Sequence, residues 1–344
     1  MSTTTTFTSY SGNTRIIRSD TSRKANFTEI PMISLSAPKD EVAVQIRDAC
    51  SRVGFMYVKD AGIPRAVINK VFEASEKFFE LPMTQKKEVH FSKNKLLRGY
   101  EGPKETQTDL TRKPDLNESF NFGYEPDLDP LGAAVDSTEV WGENKMQGPN
   151  YWPSSFNLKS EVAPYYAEAL SLGRRLIRLF ALALNAPEDY FDDMFRTPGA
   201  MLRLIHYPPQ QPDDATTLGI GAHQDIECFT ILCQGDEDGL QICNSKGEWI
   251  EAPAIKDTFV VNVGDMMSRW SNDEFTSTLH RVINKSGRER YSMPFFFGPS
   301  YETMIEPLTF SALGAEQTEP HYQPVQAGEY VWQRLAKQKL DGTY

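Results

Sequence analysis

The feature that most restricts the fold is a change of rhythm after Gly199. From there "MLRLIHY", "CFTILC", "GLQIC", "GEWIEA", "TFVVNVG", "LHRVIN" and "YSMPFFF" follow one another as short runs rich in β-branched and aromatic residues. Turn formers separate several of them: Pro208-Pro209, Gly235-Asp236, Ser245–Gly247 and Ser286-Gly287. A run this short cannot cover a core alone. Seven or eight at this spacing predict a sandwich, a jelly roll or a barrel.

The rest of the chain contributes mostly helices. "IPMISL" reads as a short strand, and Lys39 to Arg52 places Val42, Val44, Ile46, Ala49 and Cys50 mostly on one helical face. "GFMYVKD" reads as another strand. Pro64 suits the first turn of a helix carrying Val67, Ile68, Val71, Phe72, Phe78 and Phe79, and Pro82 ends it. Residues 159–185 form a long helix with a wide apolar face, and "GEYVWQRLAKQKL" forms a last one. Residues 91–150 mix charge, Gly and Pro and read as a functional loop or lid. Residues 1–28, rich in Thr and Ser, read as a flexible tail. The expected organisation is that tail, an N-terminal region over 29–150, helical support over 151–198, a core over 199–305 and a C-terminal helical segment over 306–344. The fold class is mainly β with flanking α.

Charge narrows the partners. With 36 basic and 47 acidic side chains, the net charge is -11, which argues against nucleic acid and anionic membranes and for small molecules. The four cysteines form no C-x-x-C pair, so free buried thiols in a reducing compartment are expected. Neither a secretory pattern at the N-terminus nor a run of membrane-spanning length is found, which makes the cytoplasm the expected location.

One stretch carries chemistry. In "GIGAHQDIECFTIL", His223 and Asp225 stand two apart ahead of an apolar run. Residues two apart on a strand point the same way. His280, in "STLHRVIN", lies in another β-type run. Two imidazoles and one carboxylate make the facial triad of non-haem Fe(II) oxygenases, which leaves positions open for dioxygen and a co-substrate. A His-x-Asp pair alone would more often be a hydrogen-bonding pair. The third ligand and the β setting favour metal. Ten positions after His280, Arg290 and Ser292 share one strand face, and a guanidinium fork beside a hydroxyl suits a carboxylate. Arg203, Ile205 and Tyr207 share another, so Tyr207 would add a hydroxyl. Arg203 would either pair with a core acid or meet a polar substrate. Phe296 has the parity of Arg290 and should face the pocket.

"HQD", His280 and Arg290-x-Ser292, with "GFMYVKDAGIP", "GEWIEAPAIKDTFVVNVGDMMSRWSND" and "GEYVWQRL", resemble the isopenicillin N synthase-like branch of the Fe(II)/2-oxoglutarate dioxygenases. The likeness covers roughly residues 30–335. Within that branch, "RLIHYP", "RWSND", "STLHRV" and "QRLA" are similar to the fungal thymine dioxygenases. The resemblance implies a double-stranded β-helix (jelly-roll) core. His223, Asp225 and His280 would hold Fe(II) and act as the catalytic centre, with O2 as oxidant. 2-Oxoglutarate would sit on Arg290, Ser292 and Tyr207, and the products would include succinate and CO2. It also implies that Arg98, Tyr100, Asn117 and Phe120 line the substrate mouth. Many plant members have Asn where this chain has Ile205, which removes one co-substrate contact. Glu227 would have ligand parity on a straight strand, and is read as standing behind the metal or facing solvent. Asp265 reads as a turn residue, and His90, His206 and His321 as structural.

Three rival readings remain: an oxidase of the same family that needs no 2-oxoglutarate, a metal-dependent binding protein without turnover, and, more distantly, a zinc hydrolase. Neither the substrate nor the oligomeric state is written in the sequence.

Overall fold

The protein is described from a computed structural model. It covers residues 4–8, 14–18, 21–25, 29–132, 146–210, 217–308 and 319–338. Seventeen strands are described. Those before the core are β1 (Thr5–Thr8), β2 (Thr14–Ile17), β3 (Ser22–Lys24), β4 (Met32–Ser34), β5 (Phe55–Lys59), β6 (Gly99–Glu101) and β7 (Glu118–Gly123). The core adds β8 (Gly199–Tyr207), β9 (Ile220–His223), β10 (Phe229–Cys233), β11 (Leu240–Cys243), β12 (Trp249–Glu251), β13 (Thr258–Val263), β14 (His280–Val282) and β15 (Arg290–Gly298). β16 (Met304–Ile305) and β17 (Val325–Gln326) form a small ribbon. The main helices are α1 (Lys39–Arg52), α2 (Arg65–Phe79), α3 (Met83–Lys86), α4 (Leu158–Ala183), α5 (Asp265–Trp270) and α6 (Ala327–Gln338). No helix among the described residues is long and apolar enough to cross a membrane.

Two sheets carry the fold. The larger runs β4-β5-β13-β10-β15-β8-β7-β6, and the smaller runs β3-β12-β11-β14-β9. Strand alternation divides each large-sheet strand between two environments. On β15, Tyr291, Met293, Phe295 and Phe297 meet or belong to the helix-covered core, while Arg290 and Ser292 fall on the opposite face. α4 lies across the helix-covered side. Phe180 stacks on Phe229 with ring centroids 4.9 Å apart, and Tyr166 meets Phe295 edge-on at 5.3 Å. Gly173 lets α4 approach closely, since a Cβ there would lie 2.8 Å from the Phe297 ring. A second apolar cluster includes Phe55, Ile205, Tyr207, Ile220, Leu240, Ile242 and Val282. It draws residues from both sheets and fills the jelly-roll interior. Helix α1 buries Val42, Ile46, Ala49 and Cys50, with Asp40 and Glu41 in its first turn, but Val44 points away from that face and is exposed.

Two expectations are corrected here. The presumed flexible tail contains the β1–β2 hairpin, and β3 pairs in parallel with β12. Arg23 anchors that edge through Glu29 and Glu248. The presumed loop over 91–150 contributes β6 and β7, which extend the large sheet through β8. The Gly, Pro and charge of that stretch obscured two short strands whose residues are all buried.

Candidate metal centre and co-substrate pocket

His223 ends β9 and His280 begins β14, and the two are direct cross-strand partners. Their rings lie 4.2 Å apart. Asp225 is not on the strand, which stops at His223. It sits in the bend that carries the chain from the small sheet to the large one. That bend is pinned from below. The first amides of α5 donate to it, Asp265 N to Asp225 O at 2.8 Å and Met266 N to Ile226 O at 3.1 Å. Asp265 is thus the first residue of a short helix rather than a turn residue.

The three side chains are held for coordination. The Nδ1 of His223 donates to Gly221 O at 2.8 Å, and that of His280 to Thr278 O at 3.1 Å. A carbonyl only accepts, so both Nε2 atoms carry their lone pairs inward. They stand 3.7 and 3.6 Å from Asp225 Oδ1. The other carboxylate oxygen accepts from Thr230 Oγ1 at 2.5 Å and Asn262 Nδ2 at 2.7 Å. Thr230 and Asn262 are themselves register partners on β10 and β13. Each ligand thus has one end fixed and one end free. Burial, helped by His280, pushes His223 down to about 4. Burial alone would raise Asp225, but His280, His223 and the two hydrogen bonds hold it low. Neutral imidazoles and an ionised carboxylate are the forms a divalent metal takes. One ligand atom from each of the three lies within 4.8 Å of the others.

Arg290 is wholly buried. Its Nε donates to Glu237 O at 3.1 Å, and its guanidinium lies 4.7 Å from the centre of the Tyr207 ring. Both outer nitrogens lack a partner among the described residues. Tyr207 is the register partner of Arg290, and its hydroxyl is 3.4 Å from Ser292 Oγ. A buried cation with two orphaned donors beside two hydroxyls is incomplete without an anion. The oxoacid's carboxylate fits that donor set.

The cavity beside His223 and Asp225 is lined in part by Arg203 and Phe296. Arg203 Nη2 lies 3.1 Å from Glu101 Oε2. The other residues assigned to the substrate mouth are elsewhere. Arg98 is buried, donating to Met146 O, Gly148 O and Asn150. Tyr100 donates to Glu118 at 2.6 Å on the helix-covered side, and Phe120 packs against Phe78 there. Asn117 donates to Gly219 O and approaches the cavity only through Arg203, at 3.5 Å. For Tyr100 and Phe120 the cause is parity, since the cavity-facing positions of β6 and β7 are their next neighbours Glu101 and Asn121. Asn121 is the register partner of Arg203, so alternation in "NESFNFG" would have found it. Thr106, Thr108, Leu97, Met201, Val331 and Leu335 complete much of the wall. Val331 and Leu335 are one turn apart on α6, a contact that no local pattern announces.

Glu227 also differs from expectation. It faces neither solvent nor the metal triad, but lines this cavity at 3% exposure. Burial, with Asp225 nearby, pushes it up to about 8. The structural reading of the remaining histidines fits their contacts: His206 lies between Glu118 and Glu289, His90 meets Ser92 and Glu105, and His321 meets Asp273. All four cysteines are free and buried.

A family profile described as 2OG-Fe(II) oxygenase superfamily matches residues 198–299, and one described as non-haem dioxygenase in morphine synthesis N-terminal matches residues 30–155. The 2-oxoglutarate-Fe(II) type oxidoreductase hxnY of Emericella nidulans is 33% identical over 302 residues, 86% of this chain and 84% of that protein. Homoarginine-6-hydroxylase 2-ODD-233 of Oryza sativa subsp. japonica is 34% identical over 335 residues, 90% of this chain and 98% of that protein. The solved structure of the thymine 7-hydroxylase of Neurospora crassa, in complex with alpha-KG and thymine, matches with a TM-score of 0.77 at 28% identity, over 91% of this chain and 98% of that one. Agreement of this extent, across both halves of the chain, makes the protein a member of the 2OG-Fe(II) oxygenase superfamily, and so a 2-oxoglutarate-dependent dioxygenase with a double-stranded β-helix core.

Proposed function

We propose that the chain holds Fe(II) on His223, Asp225 and His280, and 2-oxoglutarate on Arg290, Ser292 and Tyr207. It then oxidises a C–H bond of a small organic molecule lying against Phe296 and Arg203. The observation that carries this reading is Arg290, a fully buried guanidinium whose outer nitrogens have no partner among the described residues. Bound iron supplies the activation of dioxygen, and for hydroxylation the balance is RH + O2 + 2-oxoglutarate → ROH + succinate + CO2. The chain's own residues do the positioning. The Nε2 atoms of His223 and His280 and one Asp225 carboxylate oxygen would hold the ion, three ligands in all, which would leave room for dioxygen and the oxoacid. The Arg290 fork, with the two hydroxyls, fixes the far end of the oxoacid. Leu97, Met201, Phe296, Val331 and Leu335 supply an apolar wall that keeps water from the reacting C–H bond.

The segment 199–305 carries metal and co-substrate in this reading, while 29–150 and α6 close the substrate side. Relatives named for homoarginine, or solved with thymine, set a scale of small polar molecules for the substrate. The net charge of -11 supports a small-molecule partner over nucleic acid or an anionic membrane, and the free thiols support the cytoplasm.

The test is anaerobic addition of Fe(II) and 2-oxoglutarate to the full chain. A metal-to-ligand charge-transfer band should form, and succinate should appear in step with oxidised product once O2 is admitted. Product without succinate would overturn this reading in favour of the oxidase that needs no oxoacid. A metal-loaded protein that binds a substrate yet takes up no O2 would favour the binding protein.

A further inference from the structure

The wall of the substrate cavity contains a carboxyl group that the reaction above does not use. Glu227 is 3% exposed, and neither of its side-chain oxygens has a hydrogen-bond partner among the described residues. Ile226, Met201, Phe296 and Leu335 of the cavity wall are apolar, and the Tyr301 hydroxyl, which senses the Glu227 charge, makes no hydrogen bond to it. The guanidinium of Arg203 is already engaged by Glu101 at 3.1 Å. The carboxyl is held in place by a missing side chain. A Cβ on Gly298 would lie 2.2 Å from Glu227 Oε2, and Gly298 pairs with another glycine, Gly199. Gly298 thus leaves the niche that the Glu227 carboxyl fills, while Gly199 makes room for the Tyr301 ring. A buried acid without a partner is costly, and native structures rarely keep one without a use.

We propose that Glu227 anchors a basic nitrogen of the substrate, an ammonium or guanidinium, and that this enzyme therefore oxidises a cationic small molecule. The inference rests on the oxygenase reading given above. Charge bookkeeping supports it. Asp225 belongs to the metal and Glu101 neutralises Arg203, so Glu227 is the acid left over for the ligand. Its place two residues beyond Asp225, across the bend, puts the anchor beside the metal. A substrate held there by its nitrogen would present a neighbouring C–H bond to the iron.

The experiment uses the full chain loaded anaerobically with Fe(II) and 2-oxoglutarate. Small amines and guanidines are added, each matched with an isostere that carries no basic nitrogen, such as butylguanidine with butylurea and pentylamine with pentanol. Binding is read as a perturbation of the charge-transfer band, and turnover as succinate released above background on admitting O2. Basic members should register and their neutral partners should not. In Glu227→Gln the basic members should bind roughly tenfold to a hundredfold more weakly, the size of a lost charge-assisted hydrogen bond. Gly298→Ala should weaken them too, because its methyl displaces the carboxylate without removing it. The proposal is overturned if no basic member registers, if neutral partners match them, or if both variants bind the basic members as the wild type does. Absence of the band in the wild type is a separate result, and it would overturn the oxygenase reading itself.

Discussion

Replacing Arg290 by Met should separate two effects that a buried arginine normally combines. In the wild type both outer guanidinium nitrogens are without partners among the described residues, in a fully buried site. Filling them with a carboxylate forms two charge-assisted hydrogen bonds, each worth roughly 1.5–3 kcal/mol. Losing both, roughly 3–6 kcal/mol, should weaken 2-oxoglutarate binding by about a hundredfold to ten-thousandfold. Met has a comparable reach and no charge. The ligand-free variant forfeits only the bond to Glu237 O and the contact with the Tyr207 ring. It also removes a desolvated cation, so its ligand-free stability should be unchanged or higher by roughly 1–4 kcal/mol, as when buried ionic groups give way to packed apolar ones. Calorimetry with Fe(II) under anaerobic conditions reads both quantities. At a 2-oxoglutarate concentration one hundred times the wild-type Kd, the wild type should gain about 2.7 kcal/mol. A variant with Kd raised a hundredfold should gain only about 0.4 kcal/mol there. Arg290→Lys, which keeps the charge but loses the fork, should fall between. Wild-type affinity in Arg290→Met would remove Arg290 from the co-substrate site. A ligand-free variant destabilised by several kcal/mol would mean that the guanidinium is structural.

Three other expectations follow from the same geometry. His223→Ala, Asp225→Ala and His280→Ala should each abolish succinate-coupled turnover while leaving a folded chain by circular dichroism; full activity in any of them would refute the metal assignment. Asp129 is buried and takes both outer nitrogens of Arg174, at 2.7 and 2.6 Å, so Asp129→Asn should cost about 3 kcal/mol in denaturant unfolding, and a loss under 1 kcal/mol would show that the pair is idle. The network of Glu118, Lys86, Tyr100 and His206 should give stability a pH dependence on both sides of neutrality. Burial opposes ionisation of Glu118, but His206, Lys86 and Tyr100 hold it below the usual carboxylate range, so its contribution is present above its unfolded value and lost as pH falls through the folded one. Burial likewise opposes the charge on His206, but Glu118 and Glu289 raise it, so its contribution is complete below about 6.5 and is lost as pH climbs through the folded value. His206→Gln should flatten the alkaline limb and also weaken the acid one, because Glu118 loses one of the groups that hold it low; an unchanged alkaline limb would refute the assignment.

Where the chain is a regular strand, much of the structure was legible. The alternation that predicted Arg290 and Ser292 on one face, and Arg203 and Tyr207 on another, works because β15 and β8 run nine residues each without interruption. β6 and β7 were missed because they are short and set among glycines, prolines and charges. With no strand assigned, no parity could be assigned either. Tyr100 and Phe120 turn to the helix-covered side, and their next neighbours Glu101 and Asn121 line the cavity. The strands before residue 28 lacked an apolar run, and they depend on partners more than two hundred positions away, such as Glu251 for Ser22.

The site itself shows why spacing can give a sound result for an incomplete reason. His223 and Asp225 converge, yet not because a strand holds them on one face. The strand ends at His223, and the bend after it is shaped by α5 amides and by Gly264, where a Cβ would lie 2.0 Å from Glu227 O. Had the alternation continued, Glu227 would have been a third residue of the same face and a fourth ligand crowding the ion. The bend instead turns it aside into the substrate cavity. A single backbone turn therefore sets both the number of ligands and the identity of the unpaired acid beside them. Restoring a straight strand, by a substitution at Gly264 that breaks the pin, should damage metal binding and substrate selection together. Glu227→Gln should move only the second. That difference is what distinguishes a residue that selects the substrate from one that merely builds the metal site.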